Sequence, residues 1–470
     1  MLIRDSTVVD TLTGSRSYGV DVLLRDGVIA SITPAGGPVP QDAQVVEATG
    51  RFLVPGYVDM HVHPYIRKDP RAALTLMTTC GITGIRQLSG SDAHLSARAA
   101  GTLPAPPFGP RLLATCGDLV MAGMSAERAV AEVRHQHELG ADFIKAISPP
   151  VPVFRALCDE ADRLGLPVAG HLPSRIDAEG STRMTVIEHL GPGLPLLLAC
   201  SSDELRIRAE LPPERVPPLP SARGPLAGAL FGLVAERITV NPSQLVSAAQ
   251  AAAIRRAADS FDEDRARDLA RMYVAAGTWH CPTLIRLATQ LRCDAPEHRD
   301  DPDLRYVHPR TRQTWRGAAA RFTKRAAARF TKRDATIRET FAAQYDLLQH
   351  LVGIFDAEGV NLLAGTDAVG AAWVVPGSSL HREAAELAAA GLTPLRVLQL
   401  LTSEPARCLG LKDAGVVRER ARADLVLLDA DPLLDVANLR RIHAVIRDGV
   451  YLDAAQLQRL RDEVEAAGVR

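Results

Sequence analysis

Short apolar runs alternate with Ala/Glu/Arg-rich stretches of helical period through the middle of the chain, and this alternation constrains the fold more than any other feature. Eight runs can be placed: FLVPGYVDMHVH (52–63), TGIRQL (83–88), RLLATC (111–116), DFIKAI (142–147), LPVAGH (166–171), MTVIEH (184–189), TWHCPTL (278–284) and NLLAGTD (361–367). Runs this short, rich in β-formers and separated by helical stretches, are the pattern of βα units around a parallel sheet. Eight units predict an α/β fold of the (β/α)8 TIM-barrel type, in which a site gathers at the C-terminal strand ends. An open α/β sheet would read similarly. Its nucleotide-binding versions lack support, because neither G-x-G-x-x-G nor G-x-x-x-x-G-K-[ST] follows any of the runs.

The two chain ends have a different texture. LIRDSTVVD, VDVLLRDGVIASI and VVEATGRFLV near the start, and ADLVLLDADP and RRIHAVIRDGVYL near the end, read as short strands with Gly and Pro at their junctions. They predict a small β-sandwich domain built from residues 1–54 and 408–470, with the barrel over 55–407. His189 and Asp367 bracket far more chain than the roughly 60 residues that two βα units need, so an insertion is expected around 200–350. Part of it, ELPPERVPPLPSARGP (210–225), is too proline-dense for a helix or a central strand and predicts an irregular lid or linker. Another part repeats AAARFTKR at 318–325 and 326–333, which predicts two copies along one long, solvated helix.

Charge narrows the function classes. The chain carries 54 basic and 55 acidic side chains, so nothing in its balance favours nucleic acid or a membrane surface. No apolar run is long enough to span a bilayer, and the first residues lack a signal-peptide core. Seven cysteines without a C-x-x-C pair argue against a disulfide framework and fit a cytoplasmic protein. The expected partner is a small-molecule substrate, with self-association to a homo-oligomer left open.

Residues at the ends of the runs carry the chemistry. His61 and His63 are separated by one residue, so on a strand they point to the same side. Such a pair alone is commonly structural. Here His171 ends the fifth run, His189 the sixth and Asp367 the eighth, so four imidazoles and a carboxylate converge on one barrel face, a ligand set suited to zinc and similar divalent ions. Lys145, near the end of the fourth run, has two readings. It either snorkels to solvent or pairs with a carboxylate, or its amine is desolvated, adds CO2 and becomes a carbamate able to bridge two metal ions. Arg175 is a candidate carboxylate fork or a surface ion-pair partner. Tyr65, His280 and His381 are candidate substrate contacts with equally ordinary packing roles.

The strings PGYVDMHVH, GADFIKAI, VAGHLPS, VIEHLG and LLAGTDA, followed by PGSSLHREAAELAAAGLTPLRVLQLLTSEPARCLGL and ADLVLLDADP, resemble the amidohydrolase superfamily. More narrowly, they resemble its imidazolonepropionase-like, prolidase-like and ochratoxinase-like branch. The resemblance implies a binuclear centre. His61, His63, Asp367 and carboxylated Lys145 would hold one ion, and His171, His189 and the same Lys145 the other. It implies Zn, with Mn or Co as alternatives, a metal-bridging hydroxide as nucleophile, and Asp367 as proton shuttle. The implied reaction is hydrolysis of an amide or peptide-like C–N bond of a dipeptide or N-acyl amino acid. A lactonase, a phosphotriesterase-type esterase or an inactive metal-binding homologue are the alternatives. Two departures bear on substrate: the stretch after the third run, CGDLVMAGMSAE, has no histidine, and the seventh run carries His280.

Overall fold

The computed structural model describes residues 1–121, 123–191, 194–211, 240–327 and 332–469. All eight runs form strands: Tyr57–Val62, Ile82–Gln87, Arg111–Thr115, Ile144–Ile147, Val168–His171, Val186–Glu188, Trp279–Cys281 and Asn361–Leu362. The first three form one parallel arc and the last five another, which Val120–Met121, just past the third strand, extends by pairing with the fourth. Backbone hydrogen bonds join the arcs at both seams. Asp142 N donates to Thr115 O (3.0 Å) between the third and fourth strands. Met60 N donates to Ala364 O (3.0 Å) and Asp367 N to His61 O (2.7 Å) between the first and the eighth. The strands are therefore arranged as an eight-stranded barrel.

A typical surrounding helix, Val151–Leu164, shows how the outer layer docks. It buries Val153, Phe154, Leu157, Cys158 and Ala161, a stripe spaced by about one helical turn, and it stops where Gly165 takes φ 69°. Between the sixth and seventh strands lie four described helices, and between the seventh and eighth lies the long helix Lys332–Ala357. Most of the Pro-rich 210–225 segment falls outside the described residues.

The terminal strands form one eight-stranded sheet, in which Leu425–Leu428 pairs antiparallel with Phe52–Pro55 and thereby joins the two chain ends. The run LVLL is apolar at every position because both faces are covered. Leu425 and Leu427 enter the sheet's own core with Ile3, Val22 and Ile446, while Val426 and Leu428 face the barrel's helices. The C-terminal helix Ala454–Ala467 also reaches the barrel, where Arg461 donates to Thr79 O at 2.7 Å.

One expectation is corrected. The AAARFTKR copies do not run along one solvated helix. Phe322, on Pro309–Ala327, stacks on Phe341, on Lys332–Ala357, with ring centroids 6.3 Å apart. A single straight helix rising about 1.5 Å per residue would hold these rings tens of ångströms apart. Ala318 and Phe322 of the first copy are buried, so this copy packs rather than faces water. Residues 328–331 of the second copy lie outside the described residues. Among the described residues no helix is long and apolar enough to cross a membrane. Phe322→Ala should lower unfolding stability by about 3 kcal/mol, measured as a shift in urea midpoint. A solvated Phe322 would leave the midpoint unmoved.

Candidate metal centre

Strand parity decides what enters the barrel. Ile147 pairs with His171 and Lys145 with Ala169, so Lys145 and His171 project to the same inner side. Gly170 makes that approach possible: a Cβ there would lie 2.0 Å from Ala146 O. Gly365 does the same for the eighth strand, where a Cβ would lie 2.7 Å from the Cβ of His61.

Asp367 is the meeting point. Its Oδ1 lies 2.9 Å from His63 Nε2 and 3.5 Å from His61 Nε2, and its Oδ2 lies 3.9 Å from His189 Nε2. The His61 and His189 rings are 4.6 Å apart and the His189 and His171 rings 5.0 Å. Single ligand atoms of His61, His189 and Asp367 all fall within 4.8 Å of one another. Lys145 is 1% exposed, and its Nζ has no hydrogen-bond partner, as is also true of His61 Nε2. Among the described residues the amine neither reaches solvent nor hydrogen-bonds to a carboxylate, although the charges of Glu188 and Asp367 act on it.

The electrostatics suit metal ligands. Burial lowers the pKa of Lys145, which favours the neutral amine. Burial together with the Lys145 charge holds His171 well below its usual range, and burial likewise holds down His61 and His189, so these imidazoles stay neutral with lone pairs to offer. For Asp367, burial acts upward, but the hydrogen bond from His63 opposes it and the carboxyl is held well below its usual range. The donor set fits divalent ions.

A shell of polar groups that sequence reading did not pick out fixes these ligands. Glu188 Oε2 lies 2.6 Å from His61 Nδ1, and Arg86 Nη2 donates to Glu188 Oε1. Thr283 Oγ1 lies 2.5 Å from His189 Nδ1, and Ser89 Oγ 3.0 Å from His63 Nδ1. Arg286 Nε donates to Asp367 Oδ2 at 3.0 Å. Asp59 accepts from Thr366 N, Thr366 Oγ1 and His61 N, and burial still pushes its carboxyl up to about 7. Asp367, His189 and Thr283 have φ of 62°, 54° and 47°, a left-handed conformation costly for residues with a Cβ and concentrated here at the strand ends. The one signal in the sequence was parity: Glu188 and Arg86 are charged residues inside otherwise apolar runs.

The substrate-contact candidates separate. Tyr65 follows the first strand half-buried, its ring 5.2 Å from that of His94, at the mouth of the barrel. Arg175 is exposed and donates to Leu211 O at 3.0 Å. His280 is not a substrate contact. It pairs with outward-facing Ile187, while Trp279 and Cys281 face inward, so its ring points at the helices between Tyr273 and Phe355. His381 is also not brought to the cluster. It packs edge-on to Tyr57, at the opposite end of the first strand from His61, and bonds to Cys80 O at 3.0 Å.

An eight-stranded barrel with imidazoles, a carboxylate and an amine at its strand ends defines a class of α/β barrels with a built candidate metal centre. The amidohydrolase family model matches residues 346–452. Bottromycin amidohydrolase aligns with 99% of this chain and 90% of its own at 26% identity, TM-score 0.68. A Xaa-Pro dipeptidase with bound methionine (96% and 99% covered, 16% identical, TM-score 0.60) and A. niger ochratoxinase (97% and 95%, 14%, 0.59) share the fold. Among curated relatives, adenine deaminase of Paracoccus denitrificans (strain Pd 1222) is 42% identical over 64 residues, 13% of this chain and 11% of that protein. Dihydroorotase of Mycobacterium tuberculosis (strain ATCC 25618 / H37Rv) is 48% identical over 56 residues, 11% of this chain and 13% of that protein. The chain thus matches only about a tenth of the length of these curated relatives.

His280 yields a test of its placement. Its ring nitrogens have no partner, and burial lowers its pKa from 6.5 to about 3. The unfolded chain therefore takes up this proton first as pH falls below 6.5, and stability declines from there down to about 3, by on the order of 3 kcal/mol at pH 4. His280→Leu should remove that part of the acid sensitivity. Urea midpoints of variant and wild type should diverge between pH 7 and pH 4 in the variant's favour, and parallel curves would contradict the buried placement.

Proposed function

We propose that this chain is a metal-dependent hydrolase that cleaves an amide or peptide-like C–N bond in a small molecule such as a dipeptide or an N-acyl amino acid. One observation carries this reading: a buried, unpartnered lysine amine among three neutral histidines and an ionised aspartate. An unpaired amine in that position is unfavourable unless a ligand or a modification completes it. Addition of its nitrogen lone pair to CO2, with loss of one proton to solvent, would make Lys145 an anion with two oxygens.

In this reading His61, His63, Asp367 and a carboxylated Lys145 would hold one divalent ion, and His171, His189 and the same Lys145 would hold a second, zinc being favoured by the imidazole-rich set. Ions bound there supply Lewis acidity, which polarises a carbonyl and makes water nucleophilic near neutral pH. The chain's own residues do the rest. Asp367 accepts the proton of the attacking water on a carboxylate oxygen and returns it to the leaving nitrogen. Arg286 and His63 fix the orientation of that carboxylate, and Tyr65, just past the first strand, would contact a substrate side chain. The amide class is supported by the likeness to an amidohydrolase at 26% identity and by the fold shared with a Xaa-Pro dipeptidase.

Protein purified without added metal, or reconstituted with Zn2+, Mn2+ or Co2+, should approach two ions per chain by elemental analysis. No site-bound ion after reconstitution would end this reading. Asp367→Asn should reduce kcat on the best amide substrate by about 10²–10⁴, while at least one ion stays bound. Lys145→Ala should lose metal as well as turnover, and Lys145→Arg should not rescue it, because a guanidinium stays protonated. Full occupancy and turnover in Lys145→Ala would rule out the bridge.

A further inference from the structure

Two buried charges behind His61 play no part in the chemistry above. Glu188 and Arg86 are fully buried inside the barrel, joined Oε1 to Nη2, and Arg86 also donates through Nε to Met60 O at 2.7 Å. The other carboxylate oxygen of Glu188 lies 2.6 Å from His61 Nδ1. An ionised carboxylate only accepts hydrogen bonds, so this contact requires the proton of the imidazole to be on Nδ1. The lone pair is then on Nε2, the atom that is buried without a partner and lies on the Asp367 side. Ligand atoms of His61, Glu188 and Cys281 also fall within 4.8 Å of one another. The Arg86 guanidinium already supplies the positive charge there, which leaves no role for a cation.

We propose that the Arg86–Glu188 pair is what makes His61 a metal ligand. Glu188 selects the Nδ1–H tautomer, and Arg86 holds the carboxylate in the orientation that does so. Both are positioning residues, and the inference rests on the metal-dependent reading above. A ligating histidine ordinarily has its second nitrogen engaged in this way. Here the acceptor is itself locked by a residue that can only donate.

That lock predicts an outcome a space-filling role would not give. An amide at position 188 has one accepting and one donating end. Its oxygen must face Arg86, since the alternative sets donor against donor, so its NH2 faces His61 Nδ1. Nδ1 must then be the acceptor, the ring proton moves to Nε2, and the ligating lone pair is lost. Removing Arg86 as well frees the amide oxygen to turn to His61 and restores the original tautomer. The second substitution, which by itself would strip a buried carboxylate of its partner, should here repair the first.

The test uses full-length protein labelled with 15N-histidine, with metal removed, and reads ring tautomers from two-bond 1H–15N couplings. The His61 signals are those missing in His61→Asn. The same proteins then compete for Zn2+ against a chelator of known affinity. Wild type should show Nδ1–H. Glu188→Gln should show Nε2–H and bind Zn2+ about 10–100-fold more weakly. Arg86→Met/Glu188→Gln should recover both properties. An Nε2–H tautomer in wild type, unchanged affinity in Glu188→Gln, or a double variant no better than the single one would overturn the proposal. If Glu188→Gln does not fold, the wild-type tautomer decides. If wild type binds no metal yet shows Nδ1–H, the functional reading fails while the tautomer assignment stands.

Discussion

The seam between the first and eighth strands is the contact on which the rest of the centre depends. Asp59, buried beneath it, gathers the backbone N–H of His61 and both the N–H and the hydroxyl of Thr366, while Asp367 N donates to His61 O. These bonds join the two ends of the barrel and in the same stroke set His61 against Asp367. Gly365 is required because no side chain fits between the closing strand and His61. Closing the barrel and assembling the centre are thus one structural event. The left-handed backbone at Asp367 is held in place by the surrounding contacts rather than by local preference.

Much of this was legible in the sequence because strands report in period two. HVH, the IK pair in DFIKAI and the terminal histidines of VAGH and VIEH each place a polar side chain at the end of an apolar run, and all eight runs form strands. Parity says which residues share a face but not which face is inside. TWHCPTL shows the consequence: Trp279 and Cys281 took the inner face, so His280 was turned to the helices, where Tyr273 and Phe355 flank it. The same ambiguity applies to Glu188 and Arg86, whose face is settled only by their buried pairing.

The errors at longer range have another cause. An octapeptide repeat carries helical phase but no signal for a chain reversal, so the Phe322–Phe341 stack could not be foreseen. His381 lies in the first turn of the helix Ser378–Ala389, an ordinary place for a site residue, yet its nitrogen bonds to the Cys80 carbonyl at the far end of the barrel. The insertion does reach the site: Arg286 donates to Asp367, and Val240 O accepts from Ala372 N at 3.1 Å and from Arg286 Nη1 at 3.5 Å. A carbonyl gives no sequence signature.

The charges inside the barrel set Lys145 apart from its neighbours. Arg86 and Glu188 neutralise each other, and so do Arg286 and Asp367. The histidines are held neutral by burial. Among the described residues the Lys145 amine has no hydrogen-bond partner, and burial disfavours its ammonium form. A cluster so balanced attracts a divalent cation through imidazole lone pairs but offers little net negative charge to hold two. In the proposed reading, carboxylation would change the sign at this position and add negative charge that two divalent ions need. In that reading the apolar wall around the amine, including Phe143 on the same side of the strand, would aid metal binding without touching a metal, because burial favours the neutral amine that CO2 requires.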